Sequence, residues 1–252
     1  MSQLNETPII TVERRKALTV ISAAVILSLA LGGGLMKVGS GFASRSSDGI
    51  TVTGSAKTTA TADNAVWILN VSLSSPTVAT AVKKVDADVA ALSDYLTKGG
   101  VQVEGLTLGA VSTFANEEFS NGNATGRILS YRAAREVTVR SKDVHLISKL
   151  SQGIGSLLAT GINANNNGPQ FYISNLPELR PHLMSEAMKD AKLRAEALTK
   201  AVGGKIGALV NVKAGPIQIT TPDSTMTADF GAYDTSTIEK TVTATVSVTF
   251  RS

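Results

Sequence analysis

The sequence predicts an α+β fold, with amphipathic helices packed on one face of a mostly antiparallel sheet and one transmembrane helix in front of it. Three observations carry this. Long runs alternate apolar and polar residues, the period of half-buried strands. Two segments place apolar residues at spacings of 4, 3, 4, 3 and 4, the stripe of an amphipathic helix. Residues 17–36, ALTVISAAVILSLALGGGLM, contain no charge.

That uncharged run is 20 residues long. As a helix it spans roughly 30 Å, the thickness of a bilayer core. Arg14, Arg15 and Lys16 precede it, the flank expected to stay in the cytoplasm. The organisation read from this is a cytoplasmic head (1–16), a signal anchor (17–36), a Ser/Gly-rich linker (37–48) and an exported domain (49–252). The protein is then a single-pass inner-membrane protein with its C-terminal domain in the periplasm or outside. A cleaved signal peptide, cut after Ala43, is the alternative. With no Cys in the chain, a lipoprotein anchor is excluded. Ala24, Ser28 and Gly32 form a small-residue face suited to helix pairing, unless Gly32–Gly34 only loosen the helix exit.

The exported domain opens with a strand, Ile50–Thr53, ending at Gly54. A second strand, Ala65–Ser74, puts Trp67, Leu69, Val71 and Leu73 on one face. Ser75 and Pro76 start a helix whose stripe is Val78, Val82, Val85, Val89, Leu92 and Leu96, and Gly99-Gly100 stop it. Strands follow at 106–115 and 127–141, joined by an open polar hairpin loop at 116–126. In the second of them Tyr131, Ala133, Val137 and Val139 face the core, while Arg132, Glu136, Thr138 and Arg140 face water or a partner. A second helix covers 141–158, a turn 163–169 and a short strand 170–174. Pro177 opens a third helix with the stripe Met184, Met188, Ala191, Ala195, Leu198 and Val202, ended by Gly203-Gly204. On this assignment Leu198→Ala costs about 2–5 kcal/mol, and Lys192→Ala, off the stripe, under about 0.5 kcal/mol. Strands at 206–212 and 216–221, a polar loop at 222–236 and a last strand at 238–250 complete the chain. The last strand turns Val242, Ala244, Val246, Val248 and Phe250 inward and a row of Thr and Ser outward. The two ends of the domain look alike, each with a Gly-Gly-terminated helix followed by two strands.

These residues resemble the SIMPL-domain family of bacterial envelope proteins. The resemblance lies in Ile50-Thr51-Val52-Thr53-Gly54-Ser55-Ala56, in Tyr131–Asp143, in Ile147–Gly161, and above all in Ala187–Leu198 followed by Gly203-Gly204-Lys205-Ile206-Gly207. It covers about residues 49–251. Ala62-Asp63 stands where many relatives carry Pro-Asp. The resemblance implies envelope biology, stress tolerance and large ring-like homo-oligomers, and it transfers no catalytic residue.

Composition narrows the function classes further. The absence of Cys removes thiol catalysis and Cys-based metal sites, and two His leave little for His relays. Residues 1–41 carry four basic and two acidic residues, and the rest of the chain 20 and 18. The folded part is therefore nearly neutral and lacks a basic face for nucleic acid. His145 and His182 read as surface or capping residues. Gly153-Ile154-Gly155 lies late in a helix, the wrong pole for a phosphate. Glu117, Glu118, Asp223, Asp229 and Asp234 are loop carboxylates without Ca²⁺-loop spacing. The reading is thus of no catalytic, cofactor or metal residues. It makes the chain a non-enzymatic envelope protein that partners itself in a ring or cage and the inner membrane through residues 17–36. The alternatives are a binding module for a small molecule or cell-wall fragment, with the loops 116–126 and 222–236 as its mouth, and a hydrolase using loop carboxylates.

Overall fold

The structure is a computed structural model that describes residues 49–225 and 228–251. The head, the apolar segment 17–36, the linker and the alternative cleavage position after Ala43 lie outside the described residues. Among the described residues no helix is long and apolar enough to cross a membrane.

The fold is α+β, as the patterning predicts, but the strands form two sheets rather than one. In chain order the elements are β1 (Gly49–Thr61), β2 (Asn64–Ser75), α1 (Val78–Lys98), a 3₁₀ turn (Val103–Gly105), β3 (Leu106–Leu108), β4 (Ser112–Ser120) and β5 (Asn123–Ser141). They continue with α2 (Val144–Gly153), α3 (Gly155–Leu158), β6 (Ala164–Asn166), β7 (Gln170–Tyr172), α4 (Leu176–Ala201), β8 (Leu209–Ala214), β9 (Gln218–Thr220) and β10 (Glu239–Arg251). Every strand pairing is antiparallel.

The central sheet pairs β2 with β5 over Ala65–Ser75, with β3 and β4 along the far edge of β5 and β6 and β7 along the far edge of β2. The terminal sheet pairs β1 with β10 over their full lengths, with β8 and β9 along the far edge of β10. The likeness of the two ends is thus a likeness of plan. In each half a long strand, a helix and a broken edge strand lead to a long final strand that pairs with the first. The break falls at Gly109 in one half and Gly215 in the other, and both glycine N–H groups still donate to the long strand, to Glu136 O and Thr245 O. This break divides the single strand expected over 106–115.

Each sheet carries its own helix. Under α1 and α2 lie Trp67, Leu69, Val71, Val85, Val89, Leu92, Leu96, Val137, Val139 and Ile147, a dense aliphatic core around the only tryptophan. The predicted stripe on α1 is right except at its start. Thr77, not Ser75, is the N-cap, accepting from Thr80 N, and Val78 is exposed. Asp143 caps α2 by accepting from Leu146 N at 2.8 Å. Arg135, on the inward face of β5, reaches the edge and donates to Gly109 O and to Asp86 of α1. On the outward face Arg132 and Arg140 are exposed, as expected, but Thr138 is buried and donates to Glu136 Oε1.

The third helix, α4, keeps Ala191 and Ala195 of its predicted stripe buried and Met184 and Met188 half-buried, but is turned so that the last two stripe residues face out. Its buried residues are Leu183, Ala187, Ala191, Ala195 and Thr199, whereas Leu198 is 54% exposed and Val202 84%. The reason lies opposite, at Gly54. A Cβ there would run into Ala187 O and Ala191 N and sit 2.7 Å from Ala191 Cβ. The helix lies so close to β1 that only small side chains fit between them, so the alanine row wins over the larger apolar row. Asp190 fixes the setting by accepting from Ser55 N at 2.8 Å, which also occupies a backbone donor on β1. The expected cost of Leu198→Ala therefore falls to under about 0.5 kcal/mol, no more than that of Lys192→Ala, because neither side chain leaves a buried site. Paired urea melts of the two variants check this.

Candidate functional site: a projecting hairpin and an apolar cleft

The polar segment 116–126 is a strand-paired ribbon, not an open hairpin loop. Pairing of β4 with β5 runs from Ser112↔Ala134 to Ser120↔Asn123, whereas β2 ends at Ser75↔Tyr131. Residues 116–120 and 123–130 are therefore held by each other alone. The ribbon turns at Asn121 (φ 51°) and Gly122 (φ 81°), the positive-φ pair that a two-residue hairpin demands. Asn116 Nδ2 donates to Ser130 Oγ at 2.9 Å, Thr125 Oγ1 donates to Glu118, and Arg127 pairs with Glu118 at 3.2 Å. Phe119 is 68% exposed and Leu129 54%, and Phe114 and Ile128 are exposed as well. An isolated two-stranded hairpin is marginal in water, and this one carries apolar side chains that its own sheet does not cover.

The loop 222–236 does something different. Its last part docks along β9, where Ile219 N donates to Ala232 O and Asp234 N to Ile219 O. Gln218, buried, donates to Ala228 O and accepts from Ala232 N. Asp234 is the anchor of this loop. Its carboxylate accepts from the backbone and hydroxyl of Ser236 and Thr237 and from Lys240 Nζ at 3.1 Å. Burial pushes the Asp234 carboxyl up, but the Thr237 and Ser236 hydroxyls and the Lys240 ammonium outweigh it and hold the carboxyl well below the usual carboxylate range. The Lys240 side chain is fully buried and also donates to Asp234 O at 2.6 Å. Between this loop, the first half of α4 and the β8–β9 link lies a cleft of about 570 Å³. Leu176, Met184, Ile217, Ile219 and Phe230 line it and Arg180 is its one cation.

The two predicted mouth loops do not converge. The loop 222–236 meets the Asn64 end of β2 through Phe171 N and Thr235 O, while the ribbon leaves from the Ser75 end. Eleven residues of strand, about 36 Å, separate them. The loop carboxylates are not gathered either. Glu118 is committed to Arg127 and Asp234 to Lys240, and among the described residues no three His, Asp or Glu side chains come together as metal ligands. His145 and His182 are exposed. Gly203 (φ 76°) and Gly204 cap α4, with Gly204 N donating to Thr199 O at 2.8 Å.

The residues that carry this two-sheet plan, 50–250, match the family described as SIMPL, protein of unknown function (DUF541). The chain belongs to the SIMPL family. None of the curated proteins compared with it matches. In the SIMPL domain the glycine-ended helix read from the sequence is α4, and the segment Ile50–Ala56 is the part of β1 that α4 lies against. Asp63 accepts from Ser174 N at 2.8 Å and from its hydroxyl. That hydroxyl outweighs a slight burial and lowers the carboxyl below its ordinary range. It ties the β1–β2 link to the start of α4, a structural duty. The strand pairing along this hairpin is what sequence reading missed. Its signal was Asn121-Gly122, a turn pair flanked by strand-forming residues.

Proposed function

We propose that the chain is a non-enzymatic envelope protein, anchored in the inner membrane by residues 17–36, whose SIMPL domain assembles with copies of itself on the outer side. A part in envelope stress tolerance belongs to the same reading and draws on the family resemblance. The observation that carries the reading is the ribbon 116–130, a paired but uncovered element with Phe119 and Leu129 exposed. A neighbouring copy that covers it gives it the burial its own sheet does not, and closure of such contacts around a ring limits growth. The anchor confines copies to one plane and raises their effective concentration.

Light scattering of the full chain in mild detergent tests this. The expected result is a discrete homo-oligomer of more than about four copies. Phe119→Asp with Leu129→Asp should reduce it to smaller species while leaving the melting temperature within a few degrees, because both side chains are already exposed. A monodisperse monomer at micromolar concentration overturns assembly. For the anchor, Leu27→Arg should impair insertion, a mid-helix charge costing about 2.5–3.5 kcal/mol. Carbonate-washed membranes probed for the protein read this out.

A second reading is supported by the cleft beside Arg180. Its volume and apolar lining suit a small amphiphile with an acidic group. A ligand-induced rise in melting temperature without a change of mass would favour it over assembly.

A further inference from the structure

We propose that the end of the terminal sheet where Gly49, Arg251 and the C-terminus of α4 meet rests on the surface of an anionic phospholipid bilayer. This rests on the anchored reading given above. The domain begins at Gly49, the first residue of β1. Residues 37–48 are all that separate it from the uncharged run. However they are arranged, twelve residues reach at most about 40 Å. If residues 17–36 span the membrane, the Gly49 end of β1 is the end held near it, and Thr61, twelve steps along the same strand, stands roughly 40 Å further off.

What the fold gathers at the Gly49 end has the chemistry of a lipid contact. Gly49 pairs with Arg251, Ile50 with Phe250, and Phe250 with Leu209. The last turn of α4 overlies the same end, since Gly203-Gly204 return the chain to Ile206, which packs with Ile50 and Phe250. Around this buried plug the apolar side chains point outward. Val202 is 84% exposed, Leu198 54%, and Leu209 and Val210, at the register shift opposite Phe250, 52% and 54%. Set among them are the exposed cations Lys200, Lys205 and Arg251. None of the three forms an ion pair within the described residues.

The charge is polarised along the sheet. Residues 197–222 and 240–252 contain no Asp or Glu, the acids nearest this end in sequence being Asp48 and Glu196, the latter paired with Lys192, whereas the far end holds Asp63, Glu178, Asp223, Asp229, Asp234 and Glu239 against Arg180 and Lys240. A nearly neutral domain thus presents one cationic, apolar-studded end and one acidic end. Exposed aliphatic side chains with interspersed lysines, whose stems lie along apolar surface while the ammonium stays wet, are the composition of an interfacial contact. Each such cation near an anionic surface adds about fivefold in partitioning, and salt screens it.

The absence of Cys makes the test clean. Single-cysteine variants of the full chain, Val202→Cys and Thr61→Cys, are labelled with a small fluorophore and reconstituted in vesicles of equal parts phosphatidylcholine and phosphatidylglycerol, with nitroxide-bearing acyl chains as quencher. The expected result is quenching of the Val202 label by at least about twofold and none at Thr61. It should be lost in pure phosphatidylcholine, in high salt, and with Lys200→Gln, Lys205→Gln and Arg251→Gln combined. Protein that floats with the vesicles and resists carbonate while its Val202 label stays unquenched overturns the docking and leaves the anchor standing. Equal quenching at both labels, or quenching indifferent to anionic lipid, overturns it too. Quenching relieved on raising the protein-to-lipid ratio assigns this end to a second copy instead. Protein that does not float with the vesicles overturns the docking together with the anchor.

Discussion

Replacing Gly54 with alanine is expected to lower the unfolding free energy by about 3 kcal/mol, at the upper end of what an overpacked core site costs. The added methyl meets Ala187 O and Ala191 N, backbone atoms of α4 that cannot rotate aside, as well as Ala191 Cβ at 2.7 Å. To admit it, α4 must rise from β1. That move opens the alanine row and stretches the bond from Ser55 N to Asp190. Valine at the same position should prevent folding of the terminal sheet. A control separates crowding from lost glycine flexibility. Gly122→Ala has nothing within 4 Å of its new methyl, only a φ of +81° to strain it. It should therefore cost about 1 kcal/mol. Urea melts of the three variants give the comparison, and a Gly54→Ala loss no larger than that of Gly122→Ala would show that α4 does not lie this close.

The second large effect is at Asp234. Asp234→Ala should cost about 3–5 kcal/mol, because it strands a fully buried ammonium. Among the described residues, the backbone carbonyl of residue 234 would be the one acceptor left to Lys240. Pairing the change with Lys240→Met should recover most of the loss, since a buried ion pair is replaceable by packing where a lone buried charge is not. The pH dependence follows from the direction of the shift. Asp234 has a folded pKa below its unfolded value of about 3.9, so its stabilisation is complete above that value. It shrinks progressively as pH falls below about 4 and vanishes only below the depressed folded pKa. Wild type and Asp234→Asn should thus differ by a constant margin from pH 5 to 8 and by a steadily narrowing one below pH 4, as read from denaturant midpoints.

Local patterns were legible where one face decides burial. The stripes Val85–Val89–Leu92–Leu96 and Trp67–Leu69–Val71, and the inward row Val242–Phe250, appear as the alternation and helical spacing require. The rotation of α4 was not legible, because two stripes competed. The predicted stripe ran from Met184 and Met188 through Ala191 and Ala195 to the larger Leu198 and Val202, and only the approach permitted by Gly54, more than a hundred residues away, turns the helix toward Ala187, Ala191, Ala195 and Thr199. The split into two sheets rests on long-range pairing that local alternation does not encode. The ribbon could have been found. Its polar residues suggested a loop, yet Asn121-Gly122 is the strongest short hairpin signal there is. The exposed Phe119 and Leu129 made no pattern of their own in the sequence, since an apolar residue announces burial until a structure leaves it uncovered.

The pairing of β1 with β10 also orders the birth of the molecule. Gly49 finds its partner, Arg251, at the far end of the chain, so this sheet is closed by the last strand to be made. The central sheet needs nothing beyond residue 172. Contacts of short separation form early and the longest loop closes last. During synthesis the first strand must therefore wait, its long edge bare, until some two hundred residues have followed it. A factor that shelters an extended, threonine-rich edge would act in that interval. Truncation before Glu239 would leave β1 permanently without its mate, next to a central sheet already complete.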